Sequence, residues 1–229
     1  MSKIFQRDVQ NLHQRLMTVF GVVEKMIDNA ATALVQKQID LAAEVLENDK
    51  YVNATEVEIE EECLKILALH QPVAGDLRRL TTVLKINVEL ERMADLACNI
   101  CERAGSLHRY EFFPIPDQLP EMVRKATQMV RMAIDAFVNS DATLAKHVIA
   151  CDDAVDKHNE QIIRELREMM CQDSSLVEPA LHCFSASRHI ERIADLAENI
   201  AEDVIYLVDG DIVRHQHGNF IDSNSNPIS

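Results

Sequence analysis

Apolar residues recur at steps of four and three through most of this chain, the spacing that lines one face of a packed helix. Phe5, Val9, Leu12, Leu16, Val19, Val23, Met26, Ala30 and Ala33 mark a first helix over about residues 3–38. Asp40 is placed to cap a second, whose stripe is Leu41, Val45, Val52, Ile59, Cys63 and Ile66 and which ends near His70. Gln71-Pro72 reads as a restart, since proline is tolerated in a first helical turn; Val83, Ile86, Leu90, Met93, Ala97 and Ile100 carry the third helix. Residues 106–116 break the period with Pro114 and Pro116 and gather Tyr110, Phe112 and Phe113, predicting a linker whose aromatics pack between two halves.

The pattern then repeats. Leu119, Met122, Ala126, Met129, Ala133 and Phe137 mark a fourth helix, Leu144, Val148, Cys151, Val155, Ile162, Leu166 and Met169 a fifth, and a sixth starts near Leu176. Val45, Asp49, Val52, Asn53 and Ile59 match Val148, Asp152, Val155, Asp156 and Ile162 at one offset. Glu91, Arg92, Ala94, Asp95, Asn99 and Ile100 match Glu191, Arg192, Ala194, Asp195, Asn199 and Ile200 at an offset three residues smaller, which predicts a shorter loop in the second unit. The expected fold is all-α: two tandem, pseudo-symmetric three-helix bundles, residues 1–105 and 117–217, joined by the linker and followed by a disordered tail at 218–229.

Composition supports the helices and narrows the chemistry. Five glycines, six prolines and 4% aromatics leave few turn and strand formers. No run approaches the roughly 20 apolar residues of a spanning helix, and the first residues lack a signal-peptide core, so a soluble, cytoplasmic protein is expected. The six cysteines are too sparse for a disulfide scaffold and read as reduced, packed thiols, the Cys98/Cys101 pair included. A net charge of −15 without a basic patch argues against nucleic acid. No nucleotide loop, nucleophile elbow or zinc-protease motif occurs, and the nine histidines show no ligand spacing.

The candidate chemistry is acidic. Glu91 and Asp95 lie four apart, so their carboxylates emerge about 6 Å apart on one helix face, with Asn99 and Glu102 extending the line. The second unit repeats this with Glu191, Asp195, Asn199 and Glu202. The second helix of each unit adds oxygens beside its apolar stripe: Asp49, Asn53, Glu56 and Glu60 in one, Asp152, Asp156 and Asn159 in the other. In a single copy this is the charged outer face of any amphipathic helix. Duplication of mutually repelling acids favours bridging cations, and carboxylate and amide oxygens suit iron, manganese, magnesium or calcium, with zinc less natural. A carboxylate-bridged di-iron enzyme is the alternative, but such bundles use Glu-x-x-His and none occurs here. A metal-free structural adaptor is the third reading.

At these residues the chain resembles the PhoU family. The resemblance rests on Gln71-Pro72-Val73-Ala74-Gly75-Asp76-Leu77-Arg78 leading into Glu89-Leu90-Glu91-Arg92-Met93-Ala94-Asp95, on Asp49-Lys50-Tyr51-Val52-Asn53 and Asp152-Asp153-Ala154-Val155-Asp156, on Arg188-His189-Ile190-Glu191-Arg192-Ile193-Ala194-Asp195, and on the closing Tyr206–His215 segment. It implies paired three-helix bundles, often dimeric, whose acidic motifs hold multinuclear iron or zinc clusters, with manganese or magnesium as other candidates. It further implies a non-enzymatic negative regulator of phosphate uptake, linking the ATPase subunit of the phosphate ABC transporter to a sensor histidine kinase. The chain departs from the family in carrying Ala94 and Ala194 where glycine is common, and Asn53 in place of a carboxylate.

Because an amide carries no charge, the first acidic group should hold metal less tightly than the second. Elemental analysis of the Glu91→Ala and Glu191→Ala variants is expected to show the larger metal loss in Glu191→Ala; equal losses would refute the asymmetry.

Overall fold

The computed structural model describes residues 3–210, and among them helices account for all regular structure. Helix α1 spans Lys3–Gln36, α2 Asp40–His70, α3 Gly75–Leu107, α4 Gln118–Asn139, α5 Ala142–Gln172 and α6 Val177–Asp209, with a short 3₁₀ turn at Ser174–Leu176. The expected tail and the residues closing the last motif, from Asp211, lie outside the described residues.

Helix ends show where local chemistry overrules a residue-type argument. Asp40 is not a cap: it lies inside the first turn of α2, the capping position is Ile39, and no side chain caps that end. Asp40 there faces the positive end of the helix dipole instead. Nor does α3 restart at Gln71-Pro72. Gln71 closes α2 in a left-handed conformation, with its N–H donating to the Leu67 carbonyl at 3.1 Å; Ala74 takes φ +49°, and α3 begins at Gly75. Asp141 is a true cap of α5, accepting from the N–H groups of Thr143 and Leu144 at 2.9 and 3.0 Å. The two inter-helix connections, residues 71–74 and 173–176, are equally long, so the expected shortening is taken from the helix ends.

Each repeat packs its three helices pairwise: α1, α2 and α3 in one, α4, α5 and α6 in the other. The halves meet chiefly through α3 against α6, the most extensive helix contact in the molecule, and less through α1 against α4. A single hydrophobic core therefore runs from Phe5 to Ile205 across both repeats. Among the described residues, helix α2 packs against α1 and α3, and the main neighbours of α5 are α4 and α6, which puts both on the flanks. The linker aromatics divide: Phe113 is buried in the core while Phe112 is 91% exposed. Lys37 ties the linker to the end of α1 by donating to the Glu111 carbonyl at 2.6 Å.

A polar clasp crosses the α3–α6 contact. Lys85 on α3 pairs at 2.8 Å with Asp203 on α6, whose side chain is 2% exposed, and the same ammonium lies 5.3 Å from the centre of the Tyr206 ring. Removing Lys85 takes an opposite charge away from a carboxylate that is almost fully buried, which costs more than the intact pair contributes. Lys85→Met is expected to cost about 2–3 kcal/mol in urea denaturation, whereas Lys85→Arg, which keeps the charge, should cost less.

Candidate functional site

The acidic segments lie at the edges of the two central helices. In α3, Leu90, Met93, Ala94 and Ala97 are buried while Glu91 is half-buried beside them and Asp95 is exposed. The same arrangement recurs in α6, with Ile190, Ile193, Ala194 and Ala197 buried, Glu191 half-buried and Asp195 exposed. The alanines that depart from the family's glycine are fully buried packing residues, so a methyl group there fills core space. The acids consequently stand where a central helix meets its flanking helix: α2 for the first group, α5 for the second.

In the first group, Asp49 and Glu56 on α2 come near enough to Glu91 to act on it. Burial, then Asp95, Glu56 and Asp49, raise the Glu91 carboxyl above its ordinary range, and burial followed by Asp49 raises Asp95. Asn87 on α3 fixes the register of α2 by donating its Nδ2 to the Glu56 carbonyl at 2.9 Å. Asn53 turns its amide toward Asp49, donating from Nδ2 to Oδ2 at 3.1 Å, and so relieves repulsion there. The other Asp49 oxygen, Oδ1, is buried without a hydrogen-bond partner.

The second group is more strongly frustrated, because Asp156 stands where Asn53 does and offers Asp152 a charge instead of a donor. Burial, Glu198, Asp156, Asp195 and Asp153 push Asp152 up to about 7, and its Oδ1 is again buried and unpartnered. Burial and Asp156 likewise raise Asp195, opposed by Arg188 and Arg192. Glu191 is raised by burial, with Asp195 and Asp156 adding to this, while Arg188, which forms an ion pair with it, and a hydrogen bond from Asn159 oppose it. Asn159 is 3% exposed and its Oδ1 has no partner.

The residues proposed to extend each line separate. Asn99 and Asn199 are half-buried on the same helices. Glu102 pairs with Arg103 at 3.2 Å and bears on His189 of α6, so it points toward the central contact rather than toward α2. Glu202 is 8% exposed, and the α6 acid that bears on Asp152 is Glu198, which the sequence reading passed over. Its position three residues after Asp195 was the available signal. The matching position in the first repeat is Cys98, whose thiol is pushed up to about 12 by burial and then by Asp49. Among the described residues, no three His, Cys, Asp or Glu side chains stand so that they could hold one metal ion. The donor types, two clusters of carboxylate and amide oxygens with unpartnered Asp49 and Asp152 atoms, are those that hard cations prefer, but among the described residues they do not converge on one point.

The PhoU domain model matches this chain twice, over residues 16–104 and 119–204, one match for each three-helix repeat. The chain belongs to the PhoU family. Among its relatives, the phosphate-specific transport system accessory protein PhoU of Serratia marcescens is 35% identical over 218 residues, covering 95% of this chain and 90% of that protein. The Aquifex aeolicus PhoU homolog is 39% identical, with 94% and 97% covered. The crystal structure of PhoU from Pseudomonas aeruginosa superposes with a TM-score of 0.86 at 36% identity, over 90% of this chain and all of that one. The PhoU fold explains the placement of the acids: two repeats sharing one central pair of helices carry them at equivalent edges.

Asp152 generates a signed prediction. Its carboxyl is raised from 3.8 to about 7, so ionisation opposes folding: the full stability is present below about pH 4 and is lost as pH rises through about 7. Asp152→Asn cannot ionise. In the presence of a chelator it is expected to stabilise the protein at pH 8 by about 1–2 kcal/mol, a figure reduced for solvent screening of a partly exposed group, and by nothing at pH 4. Urea titrations at the two pH values check this.

Proposed function

We propose that this protein is an accessory regulator of a phosphate-specific transport system. It acts negatively on phosphate uptake and on the phosphate-starvation response by linking the ATPase subunit of the phosphate ABC transporter to a sensor histidine kinase. The observation that carries the reading is the similarity along nearly the whole chain to proteins bearing the accessory-protein name, together with both PhoU domain matches. On this reading the protein is cytoplasmic and reaches the membrane through its partners; no helix among the described residues is long and apolar enough to cross a membrane. On this reading it works as a homodimer and catalyses no reaction.

The acidic groups serve this role as metal-holding surfaces for iron or zinc clusters, or for manganese or magnesium. Glu91, Asp95, Asp49 and Asn53 would hold the first cluster, and Glu191, Asp195, Asp152 and Asp156 the second, with Asn99, Glu102, Asn199 and Glu202 as outer candidates. A bound cation supplies positive charge that cancels the repulsion among these carboxylates and makes the face attractive to an anionic partner surface. The metal-free adaptor is favoured by one observation: among the described residues no three donors converge.

Elemental analysis of purified protein separates the two: the metal reading expects iron, zinc, manganese or magnesium in at least molar proportion, and none of these would leave the adaptor. Pull-downs with and without phosphate test the partners. The ATPase subunit and the kinase are expected to be retained in phosphate-rich extract and retained less without phosphate; capture of neither would overturn the linking role.

A further inference from the structure

We infer that the cleft where α1, α3 and α4 meet binds a small organic oxyanion, a phosphate ester or carboxylate carried on an apolar body. The cleft has a volume of about 330 Å³, within the range of small-molecule sites and far more than a bare inorganic anion fills. It lies at the seam between the repeats, with α1 and α3 contributed by one and α4 by the other. Its α3 wall at Arg79 is about 18 Å along the helix from Glu91, so it is separate from the acidic groups.

The lining chemistry is divided in the way such a ligand requires. Gln6, Val9, Gln10 and His13 recur at helical spacing on the face of α1 that borders the cleft. Arg79, from α3, forms neither a hydrogen bond nor an ion pair among the described residues, leaving its planar fork of donors available. His13 is held beside it with its ring 5.4 Å from that of Phe137, and burial followed by the Arg79 charge lowers its basicity. The imidazole is thus a neutral hydrogen-bonding group at neutral pH. The carboxamides of Gln6 and Gln10 add donors and acceptors. Asp76 lines the same cleft and would accept from a ligand hydroxyl or amine, while repelling a ligand that is nothing but charge. Val9, Val83 and Val138 form the apolar wall, and Val138, 40% exposed, stands at the opening. One cation, one carboxylate, several neutral polar groups and an apolar surface in one cleft select an anion that also carries a hydrogen-bond donor and an apolar body.

Isothermal titration of the whole protein with adenosine monophosphate, salicylate and inorganic phosphate tests this, the first two separating phosphate-ester from carboxylate recognition. Saturable binding of at least one organic anion is expected, with inorganic phosphate weaker. Arg79→Met should weaken binding by about tenfold or more, the loss of a charge-assisted contact. Arg124→Met, on the outer face of α4, should leave it unchanged. Val138→Phe fills the opening from a partly exposed position and should block binding without disturbing the core, so the test survives if Arg79→Met folds poorly. The proposal is overturned if neither organic anion binds, if inorganic phosphate binds as tightly as both, or if binding survives Arg79→Met and Val138→Phe.

Discussion

The packing of α3 against α6 is the constraint on which the rest of this molecule depends. Each of these helices is buried over a broad arc because it meets two helices of its own repeat and one of the other. Alanines at 94, 97, 104, 194, 197 and 201 are all nearly or fully buried, and Lys85 reaches across to Asp203. With so much of each central helix committed to packing, only a narrow strip remains beside the flanking helix. Glu91 and Asp95 occupy that strip on α3, and Glu191 and Asp195 occupy it on α6. Fusing the repeats through their third helices therefore fixes where both acidic groups stand and keeps them apart.

What those groups do follows from the energy of crowding like charges in partly desolvated grooves. A carboxylate there has three ways to lower its energy: take up a proton, accept a hydrogen bond, or share a cation. The first repeat uses the second route, through Asn53 donating to Asp49. The second repeat has Asp156 at that place and Glu198 where the first has Cys98, so its Asp152 is left to the proton or the cation. Two sites built on one pattern are thereby unequal in charge, and the inequality comes from a few side chains rather than from the fold. The seam between the repeats has a different character, with the Arg79 guanidinium and the Asp76 carboxylate beside an apolar wall, at some distance along the same helix.

Much of this was legible along the chain. The alternating three- and four-residue steps gave six helices, because burial of one face leaves a period in the sequence whatever the partner. The duplicated acids could be paired across helices because a repeat preserves register. Helix ends were less readable: Asp40 and Pro72 carry the right residue types for a start, but a cap depends on backbone angles that residue type alone does not set, and Asp141 met that condition where Asp40 did not.

The sequence by itself determined the class of fold, the repeat and the residues that form the acidic faces, since these depend on periodicity and on identity at matched positions. Only the tertiary structure decided that the repeats share one core through α3 and α6, that Glu198 joins the second group while Glu102 turns to the central contact, and that Arg79 and His13 border one cleft. Those outcomes join residues distant in the chain, and they turn on the rotation of one helix against another, which is set by packing between side chains and leaves no period of its own in the sequence.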